Sequence, residues 1–216
     1  MSKVYEKLVS HKLSWFCEKC GLFPAAQFAY RKCLGCTEAL LTISHHLRKS
    51  LDAEVESYIG QLDFRAAFDR VSHSGLLFKL KSIAVGGSVL SICTEFLSDR
   101  RLRVAVDGAV SQWIPKISGM PQGSVLGPLL FIHYTREMFE LVENRLFAYG
   151  DDSTLLAVVH EPADRPAVAA SLNRVFARIL EWCMILNPQK TKAFVISRTR
   201  TVGPPHDDLV LCGVSI

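Results

Sequence analysis

Three patterns in the chain predict an α+β fold. Apolar residues recur at helical spacing in two long segments, through Leu40, Ile43, Leu47 and Leu51 and again through Val168, Leu172, Val175 and Ile179. Leu102, Val104 and Val106 alternate with Arg101, Arg103 and Ala105, the period of a strand with one apolar face. Leu146-Phe147-Ala148 and Thr154-Leu155-Leu156 flank Tyr149-Gly150-Asp151-Asp152 and fit the arms of a hairpin. Helices mixed with hairpins, without regular strand-helix alternation, make the α+β class.

Taken in order, Val4, Leu8 and Phe16 mark a first helix that ends near Gly21, and the Leu40 series marks a second. Ser57 to Phe64 reads as a short strand with Asp63 at its end, and Ala66-Ala67-Phe68-Asp69 leads from it to a helix that begins near His73. Ala84-Val85-Gly86-Gly87 separates that helix from another helical stretch. The Leu102 strand turns at Asp107-Gly108 and returns towards Trp113, with basic residues on part of its second face. Ser118 to Pro128 is a turn rich in small residues that feeds a helix. After the Gly150 hairpin come a helix from about Asp164 to Trp182, a strand from Ala193 to Ser197, and an irregular C-terminus.

The 216 residues, 49% of them hydrophobic, suit one domain or part of a larger one. A net charge of +4 and a pI near 8.7 are compatible with a polyanionic partner and too slight to demand one. No run reaches the roughly 18 apolar residues of a membrane span, and Met1-Ser2-Lys3 opens no signal-peptide core. The expectation is an intracellular protein without a membrane partner. Seven cysteines, an odd number, give no disulfide framework.

The chemistry concentrates in the acids. Successive strand residues point to opposite faces, so Asp151 and Asp152 can approach one ligand only where the backbone turns, and Gly150 supplies the turn. Mg²⁺ prefers six oxygens and is commonly held by one or two carboxylates together with substrate phosphates, so a third acid is sought, and Asp63 is placed to be it. An acid at a strand end, upstream of an acid pair in a hairpin, is an arrangement that two-metal phosphoryl transfer needs. Taken singly, Asp63 also reads as a helix N-cap and Asp151-Asp152 as a hydrophilic turn. Between them, Gly119-Met120-Pro121-Gln122-Gly123-Ser124 lets a nucleotide or nucleic-acid strand approach the backbone closely.

These three segments, in this order, resemble motifs A, B and C of reverse transcriptases. Ala67-Phe68-Asp69-Arg70-Val71, Phe96-Leu97-Ser98-Asp99-Arg100-Arg101 and Pro121-Gln122-Gly123-Ser124-Val125-Leu126-Gly127-Pro128 are most similar to the non-LTR retrotransposon enzymes of the LINE type, near the jockey group. Leu186-Asn187-Pro188 with Lys190-Thr191-Lys192 resembles their motif D, and Gln27-Phe28-Ala29-Tyr30-Arg31-Lys32 a fingers motif. The resemblance implies a right-hand palm and fingers, with an antiparallel palm sheet packed on helices. It implies an RNA-directed DNA polymerase that takes an RNA template, a DNA primer and dNTPs. Asp63, Asp151 and Asp152 would be the metal acids for two Mg²⁺ ions, with Mn²⁺ an alternative. Phe68 would lie beneath the nucleotide sugar and exclude a 2′-hydroxyl; Gln122 and Gly123 would lie near the incoming nucleotide and template. Lys190, preferred to Lys192, and Arg31 would meet the triphosphate. Each of these also has a plain structural reading: a core phenylalanine, a turn before a helix, a solvated lysine or arginine.

The resemblance further implies a partial domain over residues 1–216, holding fingers and palm with motifs A to D, without an endonuclease domain or a complete thumb. Glycine stands at position 150, where alanine is common, and the segment from Glu181 to Asn187 is shorter than in the family. A catalytically inactive remnant or a repurposed nucleic-acid-binding module is the alternative. A third reading is zinc: Cys17-x₂-Cys20 and Cys33-x₂-Cys36 have thiolate-pair spacing, although free buried thiols are the plainer expectation. Arg100, Arg101 and Arg103 either line a nucleic-acid track or are surface charge.

Overall fold

The computed structural model describes residues 2–140, 145–198, 210–211 and 214–215. The chain forms two compact units, Met1–Leu22 with Phe68–Tyr134, and Phe23–Ala67 with Thr135–Ile216.

The second of these is built on a four-stranded antiparallel sheet in the order β6-β7-β1-β8, where β1 is Glu56–Leu62, β6 Arg145–Tyr149, β7 Asp152–Val159 and β8 Lys192–Ile196. β1 is central: Ile59 pairs with Leu156 of β7 on one side and with Phe194 of β8 on the other. Ile59, Phe147 and Leu156 bury one face with Phe28 and Ala39, and helix α2 (Cys36–Asp52) lays Ile43 and Leu47 on that cluster. Leu40, expected on the same stripe, is 63% exposed, and Ala39 packs on the cluster with Ile43 and Leu47 instead. Helix α6 (Arg165–Glu181) packs on β7 and buries Leu172, Val175, Phe176 and Ile179, the face its periodicity predicts. Val210–Leu211 and Val214–Ser215 pair as a short ladder, and the rest of the C-terminal stretch lies outside the described residues.

The other unit holds α1 (Ser2–Lys19), α3 (His73–Ser82), α4 (Gly87–Leu97) and α5 (Gly127–Thr135). α1 stops where predicted: Gly21 takes φ +62°, and the Leu22 N–H donates back to the Cys17 carbonyl at 2.8 Å. Its buried face is Val9, Leu13 and Cys17, however, while Val4 and Leu8 are 67% and 59% exposed. α1 is apolar on more than one side, so spacing alone does not select the face that packs. α3 is N-capped by Ser72, whose Oγ accepts the Gly75 N–H.

Between α4 and α5 the chain forms a ribbon of four two-residue strands, β2 (Arg101–Leu102), β3 (Ala105–Val106), β4 (Ala109–Val110) and β5 (Ile114–Pro115). Asp107 and Gly108 both take positive φ, as a two-residue hairpin turn requires. The expected apolar strand face is present but unburied: Leu102, Val104, Val106 and Ile114 are all exposed. Alternation identifies a strand and its faces, and a two-stranded ribbon without a third layer leaves both faces in water. Arg103 stacks on Trp113 across the ribbon at 4.6 Å, and Arg100 donates to the Phe96 carbonyl. Among the described residues no helix is long and apolar enough to cross a membrane.

Candidate active site

The sheet brings the acids of the second unit to one end. β1 and β7 run antiparallel with Leu62 opposite Ser153, so Asp63 leaves β1 beside the point where Asp152 opens β7. Tyr149 pairs with Asp152, which leaves only Gly150 and Asp151 in the β6–β7 turn. Gly150 sits at φ +70°. Asp151 is half-buried, and its carboxyl titrates above the ordinary carboxylate range. Burial is the largest cause, the charges of Asp152 and Asp63 add to it, and a hydrogen bond from its own backbone opposes them. Asp151 therefore feels the charges of the other two carboxylates. The three do not close into a ready ligand cage: among the described residues no group of three or more His, Cys, Asp or Glu side chains is assembled to hold a metal ion. Asp152 is exposed at the first position of β7, where strand geometry turns it away from its neighbour.

The segment after α6 docks on the backbone of Asp63. The Asp63 carbonyl accepts the Asn187 N–H at 2.7 Å, and the Asp63 N–H donates to Thr191 Oγ1 at 3.3 Å. Lys190 Nζ stands 3.9 Å from Asp63 Oδ1, a mostly exposed and hence weak pair. The short connection from Glu181 to Asn187 is closed by Cys183 at φ +58° and by the Arg65 N–H donating to the Ile185 carbonyl, so it delivers Lys190 to Asp63.

Arg31 is engaged within its own loop. Its guanidinium donates to the carbonyls of Pro24 at 2.9 Å and Gln27 at 3.2 Å and lies over the Phe23 ring. Beside it are two residues of the same motif to which the sequence assigns no role. Gln27 is fully buried and bonds Gly150 through both ends of its amide, and Tyr30, at φ +57°, lies against Gly150 within range of the Asp151 charge. In the sequence Gln27 only opens the motif that carries Arg31, and nothing in its type or spacing announces a buried amide.

Phe68, Gln122 and Gly123 belong to the other unit. Phe68 is half-buried with its ring stacked on Phe131 of α5, centroids 4.3 Å apart, and its carbonyl accepts the Met120 N–H. Gln122 is exposed in a turn closed by the Ser124 N–H and the Pro121 carbonyl, with Gly123 at φ +74°. The Glu6 carboxylate accepts the Val125 N–H at 2.8 Å, and Ser124 Oγ accepts the Gly127 N–H, so the start of α5 is held on two sides.

The four thiols with zinc spacing are free, as expected, but only one of them is buried. Cys17 is buried against His133, whereas Cys20, Cys33 and Cys36 are exposed. Cys36 is hydrogen-bonded to Tyr149, and that bond is the largest cause raising the phenol of Tyr149 above its ordinary value. Cysteine spacing carries no information on exposure, which the helix and turn positions set.

Residues 1–206 match the family model for reverse transcriptase (RNA-dependent DNA polymerase). The chain is 33% identical over 164 residues to the RNA-directed DNA polymerase from mobile element jockey of Drosophila melanogaster, a match covering 72% of this chain and 18% of that protein. It is 29% identical over 205 residues to the probable RNA-directed DNA polymerase from transposon BS of the same organism, covering 88% and 22%. The chain thus spans about a fifth of the length of these curated relatives. Among solved structures, apo telomerase from Candida tropicalis truncated from its C-terminal domain superposes with a TM-score of 0.65 at 12% identity, over 93% of this chain and 42% of that one. Telomerase from Candida albicans in complex with the TWJ fragment of telomeric RNA gives 0.64 at 16% identity, over 90% and 34%. At such identities the likeness shows the fold.

Proposed function

Because the chain belongs to the reverse transcriptase (RNA-dependent DNA polymerase) family, on the branch of the non-LTR mobile elements, we propose that it is the fingers and palm of an RNA-directed DNA polymerase that adds dNTPs to a primer 3′-hydroxyl. The observation that carries this reading is the placement of Asp63, Asp151 and Asp152 at one end of the β1–β7 pair, where burial and the two neighbouring charges raise the Asp151 carboxyl.

Reverse transcriptases generally use divalent ions, and the donor set fits them. Hard cations take oxygen ligands, Mg²⁺ completes its six with substrate phosphates, and the carboxyl of Asp151 is raised in part by repulsion that a cation would relieve. Asp63 and Asp151 would hold Mg²⁺, or Mn²⁺ in its place, with Asp152 less direct. When bound, such ions lower the pKa of the attacking hydroxyl and offset charge on the leaving pyrophosphate. The residues of this chain do the rest. The Asn187 to Thr191 segment fixes the backbone of Asp63 and sets Lys190 on the same side, as a positive charge for the triphosphate. Phe68, its ring stacked on Phe131, would lie beneath the sugar of the incoming nucleotide. Gln122 and Gly123 offer an exposed amide and an unobstructed backbone to template and nucleotide. Arg31, tied to Pro24 and Gln27, shapes the loop beside the acid turn and would reach a triphosphate only by leaving those carbonyls.

Primer extension on an RNA template, with the purified chain, Mg²⁺ and dNTPs, tests this reading. Incorporation that follows the template sequence and disappears in Asp63→Asn is expected. A folded chain that binds the template-primer without incorporating nucleotide would identify a non-catalytic binding module instead. In the same assay, Phe68→Ala should raise ribonucleotide use; unchanged discrimination would remove Phe68 from the sugar site.

A further inference from the structure

The β6–β7 turn needs an external partner for its main chain. Gly150 is at the tip of a two-residue turn, so neither its N–H nor its carbonyl has a place in the β6–β7 ladder, which ends at the Tyr149–Asp152 pair. A buried peptide group left without a partner is costly, so something must replace the ladder there. The replacement comes from a segment more than a hundred residues upstream. Gln27 Oε1 accepts the Gly150 N–H at 3.1 Å, and Gln27 Nε2 donates to the Gly150 carbonyl at 3.3 Å. One primary amide thus satisfies both groups of one residue, as a neighbouring strand would.

The backbone around Gln27 runs beside β6, at the open edge of the sheet. The Phe28 N–H donates to the Ala148 carbonyl and the Ala148 N–H to the Ala26 carbonyl, both at 2.9 Å, and Gln27 and Ala148 form a parallel bridge. The amide is itself fixed. Gln27 is 0% exposed, its Oε1 also accepts the Ala29 N–H at 3.1 Å, and its carbonyl accepts from the Arg31 guanidinium. Tyr30 closes the other side, its ring 3.7 Å from where a Cβ on Gly150 would lie. Gln27 touches only main chain at position 150, and that main chain is held at φ +70°, a conformation that favours glycine.

We propose that Gln27 is a positioning residue for the acid turn: by replacing the missing ladder bonds of Gly150 it fixes the direction in which Asp151 is presented. This rests on the polymerase reading of the acids. The side chain is specific in length and chemistry. Asparagine is one methylene short, glutamate has no donor for the Gly150 carbonyl, and a hydroxyl cannot reach both groups at once. Residues that orient a metal ligand without touching the metal commonly change ion affinity or activity by about 10- to 100-fold.

Two readouts on Gln27→Met, which keeps the volume and removes the bonds, test the proposal. In the extension assay, the Mg²⁺ concentration for half-maximal rate should rise, or kcat fall, by about 10- to 100-fold, while template-primer affinity and the KM for dNTP stay within about twofold. In amide hydrogen exchange, Gly150 should exchange faster while β1 and the far end of β7 keep their protection. A merely structural role would loosen the whole sheet and raise every constant together. Unchanged metal demand with unchanged Gly150 exchange overturns the proposal. A wild-type chain that incorporates nothing, with Gly150 exchange still faster in Gln27→Met, overturns the polymerase reading and leaves the Gln27–Gly150 link standing. If Gln27→Met does not fold, Gln27→Glu, which keeps the two bonds accepted by Oε1 and loses the one donated by Nε2, is read in both assays by the same criteria.

Discussion

Asp151→Asn should abolish primer extension and, in the same chain without ligands, raise the melting temperature at neutral pH. The first effect follows from the role proposed for the acid. Stabilising transition-state charge through a metal contributes several kcal/mol, and about 4 kcal/mol corresponds to roughly a thousandfold in rate. The second follows from the environment of the carboxyl. Burial first, then the charges of Asp152 and Asp63, raise its pKa above the ordinary carboxylate value. The folded chain therefore binds this proton more tightly than the unfolded chain does, and stability falls as pH rises from the ordinary carboxylate value through the raised one. Above that window the ionised group opposes folding, and below it the opposition is gone. Asparagine has no proton to lose, so it should be more stable than aspartate at pH 7, and the difference should shrink as the pH falls and as salt rises. The group is about half exposed, so solvent screening keeps the gain small. Pairing lost activity with gained stability is the signature of a site whose charges are retained for chemistry. Equal or lower stability of Asp151→Asn across the whole pH range would remove the repulsion on which this rests.

Gly119→Ala should be among the most damaging single substitutions in the other unit, costing about 2–4 kcal/mol through strain and overpacking combined. Gly119 is at φ +84°, and a Cβ there would lie 2.7 Å from both the Cα and the carbonyl oxygen of Asp69. Neither can swing aside, since both are backbone. The two segments are laced along their length: the Gly119 N–H donates to the Val71 carbonyl at 2.8 Å, Ser118 Oγ donates to the Asp69 carbonyl, and the Gly119 carbonyl is bonded by His73. A methyl group must pry them apart, and the Met120 bond to the Phe68 carbonyl lies next in line. For a chain of this size the loss corresponds to roughly 5–15 °C in Tm. Gly123→Ala is the natural control. Gly123 also has positive φ, +74°, but nothing lies within 4 Å of its Cβ position, so only the conformational cost of about 1 kcal/mol applies. Similar melting temperatures for the two variants would show that the close approach to Asp69 does not constrain the fold.

What the sequence disclosed depended on whether a local period was enough. The Gly150 hairpin, β1 and α6 were legible because two-residue or helical periodicity determines them without reference to distant chain. Asp63, Asp151 and Asp152 were legible for the same reason, as acids at strand ends. The burial of particular faces was not. Val9, Leu13 and Cys17 pack in α1 where the sequence marks Val4, Leu8 and Phe16, and the apolar residues of the ribbon stay in water. Those outcomes depend on what other segments bring, which no window of the sequence contains. Gln27 is the clearest case. Its partner is 123 residues away, its chemistry is that of an ordinary polar residue, and only the parallel approach of residues 26–28 to β6 gives it a task. Arg31, singled out for its planar fork, turns out to hold the Gln27 loop with that same fork.

The measurement that tests the acid cluster most directly is thermal unfolding of the wild-type chain and of Asp151→Asn across a titration of Mn²⁺ at pH 7, with a deoxynucleoside triphosphate present. A ligand that binds only the folded chain raises its stability with the logarithm of concentration. The wild type should begin lower and climb as the ion neutralises the carboxylates, while Asp151→Asn should begin higher and respond weakly, so that the two curves converge or cross. Parallel curves with the same ion-dependent rise would contradict the account, because the ion would then be bound without Asp151.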